Sequence, residues 1–229
     1  MSQFKAAIEE TGLTIDEAYD VEVRLTPEFL AKHRVLILGS NQRRFTPDEA
    51  SALDRWVRDG GGLVAWSDSA FGGEHSKVGM GNTKGLESNN DLTLQFGMRF
   101  LRDNGAGNYL VTQFTRPHFI NRDKADGGIR FRGEGVSCVR VSPPAELLAP
   151  LQEGGLRGGI RLNKEDGPLI PERDAALAIA EIGKGRVVGV FDRNTYWNKG
   201  AGTQLSHEDN REFAQRIILW AAGQEVLLR

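Results

Sequence analysis

The chain has 229 residues, 26% of them charged and 39% apolar, with 29 basic and 31 acidic side chains for a formal net charge of -2. That length fits one α/β-sized domain, and the near-neutral balance argues against a general phosphate-backbone binder, which needs clustered Lys and Arg. The single cysteine, Cys138, excludes an intramolecular disulfide and a Cys-based zinc cluster, and no apolar run reaches the roughly 20 residues that span a bilayer.

In chain order, Phe4 to Glu10 reads as a helix closed by Gly12. Val21-Glu22-Val23 alternates like a short strand, and Thr26-Pro27 caps one helical turn to Leu30. Arg34-Val35-Leu36-Ile37-Leu38-Gly39 is a continuous apolar run, expected as a strand buried on both faces of a parallel sheet. Thr46-Pro47-Asp48-Glu49 is a capping box with Pro at the first helical position, and Leu53, Trp56 and Val57 follow on one helical face. Gly60-Gly61-Gly62 stops that helix before the buried strand Leu63-Val64-Ala65-Trp66, completing a βαβ unit.

From Ser67 to about Asp91 the chain reads as loop, and Leu92 to Phe96 as a short helix. Strands are expected at Tyr109–Thr112, Gly128–Phe131 and Cys138–Val141. Gly154 to Arg173 is rich in Gly and Pro and reads as a surface excursion. Ala175–Ile182 and Arg186–Phe191 are the arms of a hairpin about Gly183-Lys184-Gly185. A last helix starts near Ser206, with Ser206 and Asp209 as a capping box, buries Phe213, Ile217, Trp220 and Ala221, and ends at Gly223.

Phe45 to Ala65, Gly183 to Asp192 and Asn210 to Trp220 together resemble the class I glutamine amidotransferase-like superfamily, in its ThuA-like and gliding-motility GldG-like branches. The resemblance runs from about Phe29 to Gly223. It implies an α/β fold of flavodoxin-like type: a mostly parallel sheet flanked by helices on both faces, with a loop-and-strand insert at about 72–173 in a single domain spanning 1–229. The first strand of that family is missing here, because a helix begins almost at Met1, or the chain is a fragment of something longer. The family's glutaminases carry a nucleophilic Cys in a Gly-x-Cys-x-Gly turn after a central strand. Here the matching strand runs into Ser67-Asp68-Ser69-Ala70, and Cys138 sits in a strand-like run as a structural thiol, so the resemblance argues against glutaminase chemistry.

Open parallel sheets bind ligands beyond the carboxyl ends of their strands. That rule selects the loops after three strands: Ser40 to Arg43, Ser67 to Ser69, and Asp192 to Asn198. The candidate ligand-binding residues are Asn41, Asp68, Ser69, Asp192, Arg193, Asn194, Trp197 and Asn198. Asp68 and Asp192 can accept hydrogen bonds or act as base, Arg193 can hold an anion, and Tyr196 or Trp197 can stack on a ring, the combination a sugar requires. The competing structural reading gives Asp192 and Asn194 to Asx-turns and Trp197 to the sheet edge. Ser67-Asp68-Ser69 lacks the glycines of a G-x-S-x-G elbow, so no Ser-His-Asp triad with His75 and Asp192 is expected. The four histidines have no zinc spacing, and Gly79 to Gly85 fails the phosphate-loop pattern. Arg130 and Arg132 are expected to pair with Glu134 or other carboxylates, and His118 to be a structural loop residue.

The expected function is therefore a non-glutaminase domain that binds a small polar ligand, a carbohydrate foremost. The alternatives are a hydrolase using Asp68 or Asp192 in the same cleft, and a non-catalytic structural or oligomerisation module, which would include a homo-oligomer. No metal or other cofactor, no nucleic-acid partner and no membrane association is expected. With no visible signal peptide, a cytoplasmic chain is the default expectation.

Overall fold

The computed structural model describes residues 2–39, 41, 43–67, 85–101, 108–134, 137–151, 166–196 and 205–226. Helices α1 (Ser2–Glu9) and α2 (Pro27–Leu30) precede strand β1 (Val35–Leu38), helix α3 (Pro47–Arg58) and strand β2 (Gly62–Trp66). Helix α4 (Gly85–Thr93) runs into a 3-10 turn at Leu94–Phe96 and strand β3 (Met98–Phe100). Strands β4 (Asn108–Gln113), β5 (Asp126–Glu134), β6 (Val139–Val141) and β7 (Glu146–Pro150) follow. Strands β8 (Asp174–Ile182) and β9 (Gly185–Val190), a 3-10 turn at Asn194–Tyr196 and helix α5 (Asn210–Ala221) complete the order.

The main sheet runs β1-β2-β9-β8-β6-β3, with β7 also on β8, while β4 and β5 form a separate two-stranded sheet. Among the described residues, only β1 with β2 and β2 with β9 pair in parallel. All the remaining pairings are antiparallel. The sheet is thus mixed, which corrects the expectation of a mostly parallel one. The cause is local. Ile182 faces Gly185 across the two-residue turn Gly183-Lys184, and so tight a turn can only return the chain antiparallel. Strands β6 and β7, from the segment read as an insert, then extend the sheet on the far side of β8.

The parallel part carries helices on both faces. Val64, Trp66, Val188 and Val190 face α1 and α5, in a core with Phe4, Ile8, Phe213 and Ile217. Leu63, Ala65 and Val187 face the other way, toward Leu53 and Val57 of α3. This is the two-residue alternation of strands buried on both sides. The Thr46–Glu49 capping box is present in both directions. A Cβ on Gly185 would strike the carbonyls of Val57 and Gly61, so the hairpin can lie against the end of α3 only with glycine there. Gly62 gives α5 the same close approach to β2, at the Ala221 carbonyl. Arg34 Nε and Arg186 Nη1 donate to the Ala222 and Trp220 carbonyls at 2.6 and 3.0 Å, holding the carboxyl end of α5.

Four other expectations need correction. Strand β1 is half-buried at Val35, Leu36 and Ile37 rather than enclosed, because it pairs only with β2. Val21–Val23 is no strand: Glu22 and Val23 donate to the Tyr19 carbonyl, and Arg43 takes the Val23 carbonyl. The helix expected from Leu92 begins at Gly85, inside the stretch read as loop. Helix α5 starts at Asn210 without a side-chain cap, because Asp209 instead accepts from the Arg130 N–H and pairs with Arg122. Among the described residues no helix is long and apolar enough to cross a membrane.

Candidate functional site

The carboxyl ends of β1, β2 and β9 lie side by side because these three strands run parallel in neighbouring positions. Asn41, just past β1, is buried and donates from Nδ2 to Asn89 Oδ1 at 2.8 Å. Asn89, on α4, donates in turn to the Trp66 carbonyl at the end of β2, at 2.9 Å. Its neighbours act likewise: Ser88 Oγ donates to the Arg43 carbonyl, and Asn90 holds both the N–H and the carbonyl of Phe100. Three consecutive polar side chains therefore fasten α4 to the β1 loop, to β2 and to β3.

The loop after β9 is fastened to β2 from the other side. Ser67 N–H donates to the Val190 carbonyl at 2.8 Å, and Arg193 N–H donates to the Ser67 carbonyl at 2.7 Å. Asp192 is fully buried. Its Oδ1 accepts from the Asn194 N–H at 2.8 Å, an Asx-turn, and its Oδ2 accepts from the Glu134 N–H at 2.7 Å. Asn194 returns the tie by donating to the Glu134 carbonyl at 2.9 Å. Asp192 thus joins the strand-end loop to the end of β5, and both its oxygens accept from backbone.

Tyr196 closes this loop from beneath. Its ring lies 4.7 Å from Trp66 and 5.4 Å from Phe4 of α1. Burial, and then the nearby Asp192 carboxylate, push its phenol well above the usual tyrosine range, so it stays protonated. Among the described residues, three buried polar atoms here have no hydrogen-bond partner: Ser67 Oγ, Asn194 Oδ1 and the Tyr196 hydroxyl.

Of the candidate residues, Asn41, Asp192, Arg193 and Asn194 come together at these strand ends, whereas Asp68, Ser69, Trp197 and Asn198 lie outside the described residues, as does His75. Sequence reasoning missed Asn89, which couples the β1 and β2 ends. The signal was the run Ser88-Asn89-Asn90, residues that hydrogen-bond backbone rather than favour a helix interior. Phe4, whose ring packs on Trp66 and Tyr196, was also missed.

Other singled-out residues have structural partners. Arg130 and Arg132 pair with Glu208, at 3.3 and 3.5 Å, rather than with Glu134. His118 accepts from the Ile120 N–H on Nδ1, and burial, with Arg116 adding to it, lowers its imidazole to about 4. Cys138 is fully buried. An open groove of about 890 Å³ lies along α5, between Phe119–Asp123 and Glu212–Arg216. Its Arg122 is paired with Asp209 and Glu212, and Arg216 with Glu212.

Comparison with solved structures adds the fold's relatives. The N-terminal domain of mmIFT52 superposes with a TM-score of 0.60 at 16% identity, covering 90% of this chain and 84% of that one. A protein of Bacteroides uniformis described as ThuA-like superposes with a TM-score of 0.58 at 15% identity, over 96% of this chain and 82% of that one. The fold is that of ThuA-like proteins. A cold-adapted β-galactosidase of Rahnella contains a similar region: a TM-score of 0.51 at 14% identity over 97% of this chain, but only 26% of the enzyme. At these identities the likeness is one of fold. No protein-family model and no curated protein matches the sequence.

Proposed function

We propose that this chain is a single-domain, non-glutaminase relative of the class I glutamine amidotransferase-like domains, which binds a small polar ligand, a carbohydrate, at the carboxyl ends of β1, β2 and β9. The candidate contacts are Asn41, Asp68, Ser69, Asp192, Arg193, Asn194, Trp197 and Asn198. The observation that carries this reading is the convergence of Asn41, Ser67 and the 192–196 loop at one end of three parallel strands, above the aromatic pair Trp66 and Tyr196. The ThuA-like fold, and its occurrence as a region of a β-galactosidase, are compatible with a carbohydrate-related role. Ser67 in place of a nucleophilic Cys after β2, and the burial of Cys138, support the non-glutaminase assignment.

Binding is favoured over hydrolysis at this site by the state of Asp192. Both Asp192 oxygens accept from backbone N–H groups, so the carboxylate serves as an internal tie between the strand-end loop and β5. A thermal-shift screen with neutral mono- and oligosaccharides tests the reading, because a ligand that binds only the folded chain raises Tm. At least one sugar should raise Tm in a concentration-dependent way. No shift with any sugar, in a chain that is a stable dimer by light scattering, would instead support the structural or oligomerisation module.

A further inference from the structure

We propose that the strand-end site selects an uncharged, hydroxyl-rich ligand, and that Ser67, Asn194 and Tyr196 are the residues that read its hydroxyl groups. This rests on the binding reading above and names the ligand's chemistry and contacts within it.

Ser67 and Tyr196 are each fully buried, yet among the described residues neither hydroxyl has a partner, and Asn194 Oδ1 is equally unmatched. Native proteins rarely leave such atoms unpaired, because each costs the desolvation of a polar group without return. The three residues are neighbours. Arg193 N–H donates to the Ser67 carbonyl, Tyr196 N–H donates to the Arg193 carbonyl at 3.1 Å, and the Tyr196 ring lies against Trp66, next in sequence to Ser67. Their location is the end of β2 and the turn after β9, where parallel strands present ligands. The groove along α5, by contrast, has its Arg122 and Arg216 already matched by carboxylates.

The chemistry of the unmatched atoms specifies the ligand. A serine hydroxyl and a protonated phenol each donate and accept, and an amide oxygen accepts. Such a set complements hydroxyl groups, which also do both. The charged groups of the site are engaged within the chain: Asp192 accepts from the Glu134 and Asn194 N–H groups, and Arg193 is not free. Neither an anion nor a cation therefore finds an unmatched countercharge among these described residues. A polyol or neutral sugar finds an acceptor and two hydroxyls.

The test uses Ser67→Ala and Tyr196→Phe, each of which deletes one unmatched oxygen and keeps the side-chain shape. Titration calorimetry is run with neutral sugars and polyols (glucose, galactose, mannose, myo-inositol) and with glucuronate and glucose 6-phosphate as charged counterparts. The tightest neutral ligand should bind the wild type and lose about tenfold in affinity in each variant, while the charged counterparts bind more weakly. The ligand-free variants should melt at or above the wild-type Tm, because an unmatched polar atom has been removed. Four results would overturn the inference. Unchanged sugar affinity in both variants, or tighter binding of the charged counterparts, would leave the binding site in place and reject its chemistry. A clear fall in ligand-free Tm in both variants would show that the hydroxyls hold internal water as part of the fold. No binding by any compound would reject the binding reading itself.

Discussion

Replacing Glu49 by Gln tests whether one buried ion pair fixes the approach to the β1 end of the site. Glu49 opens α3, and its side chain is only 6% exposed, against 14% for Arg43. Its Oε1 and Oε2 accept from the two Arg43 amino groups at 2.6 and 2.8 Å. The Leu25 and Thr46 N–H groups donate to the same carboxylate at 3.0 Å each. Arg43 also donates to the Asp20 and Val23 carbonyls, so the pair ties the 19–25 turn to the loop that carries Asn41. Burial works to raise this carboxyl, but the Arg43 hydrogen bonds and the backbone donors outweigh it and hold the group near 2, against 4.5 unperturbed.

Gln keeps the size and one acceptor oxygen, and so keeps much of the capping box, but it removes the charge and leaves Arg43 half-satisfied. The expected loss at neutral pH is about 2–3 kcal/mol, below the 3–5 kcal/mol typical of truncating one partner of a buried pair. Because the folded-state value is depressed, the charged carboxylate stabilises the wild type fully above about 4.5, and that stabilisation is lost as the pH falls toward 2. Urea titrations of both proteins at pH 7, 4.5, 3.5 and 2.5 should therefore show a gap that is constant above 4.5 and closes below it. A gap under about 0.5 kcal/mol at pH 7, or one that persists unchanged to pH 2.5, would refute the reasoning.

His118→Asn should flatten the acid limb of stability. The wild-type imidazole is lowered to about 4, mainly by burial, so stability is complete above 6.5 and falls between 6.5 and 4, by about 1–3 kcal/mol; Asn keeps the acceptor for the Ile120 N–H and should remove that slope in urea titrations across the window. Asn89→Ala should cost about 2–3 kcal/mol, because it strips partners from Asn41 Nδ2 and the buried Trp66 carbonyl at once, and it should weaken sugar binding even where calorimetry is run well below Tm. Gly185→Ala should cost about 3 kcal/mol or more by chemical denaturation, since its methyl meets the Val57 and Gly61 backbone carbonyls rather than a movable side chain.

The parallel half of the fold was legible because its signals are local. The Thr46–Glu49 capping box, the glycines after α3 and the unbroken apolar run of β2 each specify their element without help from distant residues. The mixed character of the sheet was half legible. The Gly183-Lys184 turn was read as a hairpin, but which partner lies on the far side of β8 depends on strands β6 and β7, brought in from more than twenty residues away. Helix α4 was read as loop because its Ser88-Asn89-Asn90 run has low helix propensity, and tertiary hydrogen bonds to Arg43, Trp66 and Phe100 override it. Ser206 and Asp209 have the spacing of a capping box, but the Asp209 carboxylate is taken by the Arg130 backbone and the Arg122 side chain.

At the candidate site, sequence placed half of the named residues at strand ends and left their hydrogen-bond partners open. The strand-end rule selected Asn41, Asp192, Arg193 and Asn194, and all four lie just beyond the carboxyl ends of β1 and β9. The Asx-turn of Asp192 with Asn194, the structural alternative for this loop, is present, with β5 as a second partner that no local pattern encodes. Phe4 could not be placed near Trp66 and Tyr196 from sequence, since that contact joins residues more than sixty and nearly two hundred positions apart.

Ligand is proposed to bind at the carboxyl ends of β1, β2 and β9. A crystal of this protein grown with the sugar that gives the largest thermal shift tests it most directly. Electron density for the sugar should lie at the ends of these strands, with its hydroxyls within hydrogen-bond distance of Ser67 or Asn194. Sugar found instead in the groove along α5, or no sugar bound at saturating concentration, would contradict it.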